Sequence, residues 1–140
     1  MKNMRILLDA NVLIDYLMER EPFKGSAERI LNACISGEMK GCIAAHSISN
    51  LFYILRKAFS ISERRHMLSV VCQILMVAGI DEAMIKRALK NTDFTDFEDC
   101  LQMECAKEFG AQYIITRNLA DFQHSPITAI SPDEFVARYM

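Results

Sequence analysis

Short apolar runs alternate along this chain with segments whose apolar residues recur at helical spacing, and that alternation restricts it to a strand–helix repeat. Arg5-Ile6-Leu7-Leu8 is a β-like run ending at Asp9, and Val12 to Met18 reads as a helical turn or two. From Ser26 onward, Ala27, Ile30, Leu31, Cys34 and Ile35 fall on one helical face, with Gly37 as a stop. Gly41-Cys42-Ile43-Ala44-Ala45 is strand-like and leads into a helix with Ile48, Leu51, Phe52, Leu55 and Phe59 on one side. A capping-box pattern at Ser60 to Glu63 opens a helix that buries Leu68, Val71, Cys72 and Leu75, followed by a short Met76-Val77-Ala78 strand.

Asp81 caps a helix carrying Ile85, Ala88 and Leu89. A second capping-box pattern, Thr95 to Glu98, opens a helix through Phe109, which Gly110 ends, and Gln112-Tyr113-Ile114-Ile115-Thr116 follows as a strand. Ile127 to Ile130 supplies a last strand, and Ser131-Pro132-Asp133-Glu134 opens a helix with Phe135, Val136 and Tyr139 inward. The order predicts an α/β fold, a parallel sheet between two layers of helices, with residues 1–140 as one domain. Right-handed crossovers then gather all strand carboxyl ends on one edge, outside which ligands of open α/β sheets bind.

Composition limits the chemistry. A 51% hydrophobic content fills a core, and 16 basic against 18 acidic side chains give a net charge of −2, so any nucleic-acid contact must come from a local patch. The five cysteines form no CxxC pair and have no zinc-like spacing with His46, His66 or His124, which predicts reduced, mostly buried thiols. The run after Met1-Lys2-Asn3-Met4-Arg5 is too short for a signal sequence and no segment reaches the length of a membrane span, so a cytoplasmic location without membrane partners is expected.

Acids fall where such a sheet collects function: Asp9 after the first strand, Asn118 and Asp121 after the fourth, and Asp96 and Asp99 on the helix entering it. Asp96 and Asp99, spaced i, i+3 at a helix start, can project from nearly one face. Converging carboxylates raise one another's pKa, a cost that a divalent cation removes, and oxygen ligands select Mg²⁺ or Mn²⁺. Glu98 is assigned to the capping box and Asp15 to support of the first strand-to-helix turn.

Leu8-Asp9-Ala10-Asn11-Val12-Leu13-Ile14-Asp15, Asp96-Phe97-Glu98-Asp99-Cys100-Leu101-Gln102 and Ile115-Thr116-Arg117-Asn118-Leu119-Ala120-Asp121-Phe122 together resemble the PIN-domain family, whose commonest short bacterial members are VapC-type toxins. The resemblance implies a central parallel sheet of four or five strands and an acidic metal site that cuts RNA. By position, Asp9 corresponds to the first metal-binding acid, Asp99 to the acid of the later helix and Asp121 to an acid beside the last site position, with Asp96 as accessory. Asn11, Asp15, Asn50, Thr116 and Asn118 take supporting positions. Asn50 stands where many members carry glutamate and Asn118 where many carry aspartate, so two negative charges are missing.

The expected reaction is hydrolysis of RNA phosphodiesters with Mg²⁺ or Mn²⁺ held by Asp9, Asp99, Asp121 and Asp96. Substrate grip is assigned to Arg117, Arg56 and Lys57, with Arg64 and Arg65 nearby. A toxin of this type implies an antitoxin protein over the crevice and a homodimer; Tyr16, Leu17 and Phe23 are candidate contacts, with core packing as their other fate. Two other readings stay open. One is a PIN-like RNA- or protein-binding module whose two amide replacements have ended cleavage. The other is a haloacid-dehalogenase-like phosphatase, partly mimicked by Asp9-Ala10-Asn11 and by Tyr113-Ile114-Ile115-Thr116, although Asn11 lacks the required general acid.

Overall fold

A computed structural model describes residues 4–140; Met1, Lys2 and Asn3, which head the run read above as too short for export, lie outside the described residues. The strands are β1 (Met4–Leu8), β2 (Met39–Ala44), β3 (Met76–Ala78), β4 (Tyr113–Ile115) and β5 (Thr128–Ile130). They form one sheet in the order β3-β2-β1-β4-β5, each neighbouring pair parallel. The helices are α1 (Ala10–Leu17), α2 (Lys24–Ser36), α3 (Ala45–Ile54), α4 (Ile61–Ile74), α5 (Glu82–Lys90), α6 (Phe97–Phe109) and α7 (Pro132–Tyr139). Three-residue and four-residue 3₁₀ turns lie at Leu55–Lys57 and Leu119–Phe122.

The three layers follow from the two-residue period of the strands. Ile6 and Leu8 of β1, Ile43 of β2, Ile115 of β4 and Ile130 of β5 point to one face, where they pack with Val12, Ile30, Leu31, Leu51, Leu68 and Phe135 from α1, α2, α3, α4 and α7. Leu7, Cys42, Ala44 and Ile114, the alternate residues, meet Met84 and Ala88 of α5 and Leu101, Met103 and Cys105 of α6 on the other face. Apolar burial on both faces is what an all-parallel sheet requires. Gly41 on β2 serves this packing: a Cβ there would stand 2.6 Å from Leu75 Cδ2 and 2.8 Å from Cys34 Sγ. No helix among the described residues is long and apolar enough to cross a membrane.

Local signals account for most boundaries. Ser60 and Glu63 exchange both bonds of the capping box that starts α4, Asp81 and Ser131 cap α5 and α7, and Gly37 and Gly110 end α2 and α6 in the left-handed conformation. Four expectations need correction. Ile35 and Cys72 are exposed, and so are Ile85 and Leu89, because the inward stripe of α5 is Met84 and Ala88, a residue back and about 100° round the helix. The fourth concerns α6: its N-cap is Asp96, not Thr95, with Asp96 Oδ1 accepting the Asp99 N–H at 3.0 Å. The Asp96…Asp99 spacing repeats the expected cap one residue later, and aspartate is the better acceptor there.

Thiols match their expected burial otherwise, with Cys34, Cys42, Cys100 and Cys105 buried and free. The sheet order also fixes where a site can form. The chain runs outward from β1 through β2 to β3, then returns to β4 on the opposite side of β1, opening a crevice at the carboxyl ends of β1 and β4.

Candidate active site

Asp9 and Thr116 are the residues that leave β1 and β4 at that crevice. The Asp9 N–H donates to Ile115 O at 3.0 Å, which continues the β1–β4 ladder to the lip of the sheet and fixes the direction of the carboxylate. Asp9 is 7% exposed. Thr116 donates its hydroxyl to Asp9 Oδ2 at 2.8 Å and accepts the Asn118 N–H at 3.0 Å. Asn11, the second residue of α1, donates to the same Oδ2 at 3.3 Å and reaches Thr116 Oγ1 at 3.4 Å. Burial nevertheless pushes the Asp9 carboxyl above its ordinary value, the hydrogen bonds from Thr116 and Gln102 opposing the shift.

Helix α6 brings the second acid. Gln102, one turn beyond Asp99 and 4% exposed, donates its amide to Asp9 Oδ1 at 3.2 Å and to Asp99 Oδ1 at 3.3 Å, so the two carboxylates stand within two hydrogen-bond lengths of each other. Asp99 is pushed up to about 7, first by desolvation and then by the negative charges of Asp96, Asp9 and Asp121. The four acids therefore share one electrostatic field, although they come from β1's end, α6 and the 3₁₀ turn after β4. As placed, Asp96 is turned to its cap, and among the described residues no three Asp, Glu, His or Cys side chains converge as a ready ligand shell.

The remaining predicted residues separate into two groups. Asn11 and Thr116 touch Asp9 directly, and Asn118 touches Thr116 through its backbone. Asn50 instead donates to Glu98 Oε2 at 3.4 Å, beside His46 Nε2 on Glu98 O at 3.0 Å, tying α3 to α6. Glu98 is accordingly not the capping acid expected of it. Asp15 is fully buried and takes a bidentate pair from Arg117, Nε to Oδ2 at 2.7 Å and Nη2 to Oδ1 at 3.1 Å, while Phe23 stacks under the guanidinium at 4.1 Å. Arg117 thus has its fork committed to the fold. Arg56 lies over the Tyr53 ring and donates to Tyr53 O, and with Lys57 it follows α3, roughly 15 Å of helix from the sheet edge where α3 begins. Arg64 is held by Phe52 O. Tyr16 and Leu17 pack against the core.

Gln102 was not among the residues singled out from the sequence. A glutamine one turn from Asp99 on a helix reads as a solvated polar residue until β1 is placed against α6; its only signal is a polar side chain amid the apolar Leu101, Met103 and Ala106.

Oxygen donors at a sheet's carboxyl edge, crowded enough that one acid holds its proton to about 7, suit a hard divalent cation. A profile described as PIN domain matches residues 5–120. The chain belongs to the PIN-domain family. That membership removes the phosphatase reading, and Asn11, an amide donor to Asp9, fills no acid's role. Ribonuclease VapC1 of Aquifex aeolicus (strain VF5) is 23% identical to this PIN domain over 145 residues, covering 99% of this chain and 98% of that protein. A toxin-antitoxin complex from Klebsiella pneumoniae superposes with a TM-score of 0.69 at 20% identity, over 91% of this chain and 97% of the other. DNA-bound VapBC from Salmonella typhimurium gives 0.68 at 19% identity, over 92% and 98%.

The raised Asp99 carboxyl gives stability a pH dependence. Between the ordinary value of 3.8 and about 7, the folded chain holds a proton on Asp99 that the unfolded chain has released, so metal-free protein loses stability as pH rises through that window. A cation taken up at Asp99 would displace that proton. Calorimetric titration with Mn²⁺ is expected to show affinity falling by up to about tenfold per pH unit below that value and levelling off above it. The Asp99→Asn variant is expected to flatten the profile.

Proposed function

We propose that this PIN domain is a divalent-metal-dependent endoribonuclease acting as the toxin of a toxin–antitoxin pair. The observation that carries the reading is the Asp9–Asp99 pair at the sheet's switch point, with Asp96 and Asp121 in its field. The likeness to Ribonuclease VapC1 supports RNA as substrate, and the likeness to toxin–antitoxin complexes supports a protein partner that masks the site. A homodimer and a cytoplasmic location complete the proposal.

Asp9 and Asp99 would hold Mg²⁺ or Mn²⁺, with Asp121 and Asp96 at the rim. Such an ion would supply positive charge against the phosphate and acidify an attacking water. Thr116 and Asn11 hold Asp9 in one orientation by bonding Oδ2, leaving Oδ1 toward Asp99. No side chain is required as a covalent nucleophile.

Partner-free protein incubated with single-stranded and structured RNA is expected to cut with Mg²⁺ or Mn²⁺ and to stop with chelator. The second reading, a binding module that no longer cleaves, is favoured by the exposed amide of Asn118 and by Asn50 engaging Glu98. RNA binding without cleavage under any of these conditions selects it.

A further inference from the structure

Resting on the reading of this crevice as a cation site, we infer that Gln102 is a positioning residue whose amide stands in for the ion when none is bound and turns its oxygen inward when one arrives. The Gln102 nitrogen has two hydrogens, and it places one on Asp9 Oδ1 and the other on Asp99 Oδ1 at 3.2 and 3.3 Å. Two carboxylates that would otherwise face each other bare are thereby bridged by the positive end of one amide dipole. That bridge fixes the orientation of the amide and leaves Gln102 Oε1 buried with no partner.

Asn11 repeats the arrangement on the other side of Asp9. Its nitrogen donates to Asp9 Oδ2 at 3.3 Å, and its Oδ1 is likewise buried and unpartnered. Among the described residues, three buried side-chain polar atoms lack a partner, and two of them are the oxygens of the amides that grip Asp9. Buried acceptors are rarely left bare in this way, and two around one carboxylate leave partners to be supplied by an ion or by the ordered water it carries.

A cation entering between Asp9 and Asp99 meets the donor end of Gln102, which repels it. Half a turn of the terminal amide exchanges nitrogen for oxygen at nearly constant shape and adds a neutral hard ligand to the two carboxylates. Among the described residues no three acids converge, and the Gln102 amide oxygen, once turned inward, supplies the third ligand.

The test uses metal-free whole protein and Mn²⁺ alone as probe, followed by calorimetric titration and melting. Gln102→Met keeps length and burial but offers neither donor nor ligand, and its Mn²⁺ affinity is expected to fall about 10- to 100-fold. Gln102→Glu loses the donor and keeps an oxygen; its metal-free melting temperature is expected to drop below wild type, and its Mn²⁺-induced rise to exceed that of wild type. A role in packing alone predicts the reverse ranking, because methionine fills the space better than a third carboxylate. Unchanged affinity in Gln102→Met, or a Gln102→Glu protein that gains no more from Mn²⁺ than wild type, overturns the inference. If Gln102→Met does not fold, the Gln102→Glu result decides alone. Wild-type protein that takes up no Mn²⁺ would overturn the cation site itself and the inference with it.

Discussion

Asp9→Asn is expected to lower RNA cleavage by roughly 10²- to 10³-fold, the scale seen when one charged or dipolar group facing a reacting phosphate or carbonyl is removed. The substitution is nearly isosteric and keeps an acceptor for Thr116, so the lip of the sheet is preserved. Because burial raises the Asp9 carboxyl above its ordinary value, replacing it by a neutral amide relieves desolvation and repulsion against Asp99. Metal-free Asp9→Asn is therefore expected to melt at or above the wild-type temperature while losing activity, a trade between stability and function common at sites of crowded charge. Cleavage within a few-fold of wild type would remove Asp9 from the reaction, and a drop in melting temperature would mean that its charge serves the fold.

The second large effect is expected 102 residues apart in sequence, at the Asp15–Arg117 pair. Arg117→Met removes the only charge paired, among the described residues, with a carboxylate whose side chain is 1% exposed, while retaining a stem to pack on Phe23. Breaking a buried pair from one side costs about 3–5 kcal/mol, since the remaining charge has neither water nor partner. Urea unfolding is expected to give a loss in that range for Arg117→Met and a smaller loss for Asp15→Leu combined with Arg117→Met, a non-additivity that exposes the coupling. A loss below about 1 kcal/mol for the single variant would mean that Arg117 is free to bind phosphate, its role in the sequence-based assignment.

The order of elements was legible because each signal is local: the short apolar run Ile6-Leu7-Leu8, the Ser60…Glu63 box, the Pro132 start and the Gly37 and Gly110 stops. Errors arose where a neighbour decides. Ile85 and Leu89 carry the right period, but α5 meets α6 through Met84 and Ala88, and nothing in the α5 sequence says which apolar stripe a partner will cover. In the site, the acids could be named from their places after strands and at a helix start. Gln102 could not, since its contact with Asp9 comes from the approach of β1 to α6 across 93 residues. The engagement of Arg117 was not legible for the same reason: its partner Asp15 lies on α1, and ion pairing between distant segments has no sequence period.

The central proposal is a single cation held between Asp9 and Asp99. A crystal soaked with Mn²⁺ and measured at its anomalous edge tests this most directly. One strong peak is expected about 2.1 Å from an oxygen of each carboxylate, with the Gln102 amide no longer bridging them. Strong peaks elsewhere on the surface, with this crevice empty and the amide bridge intact, would contradict it.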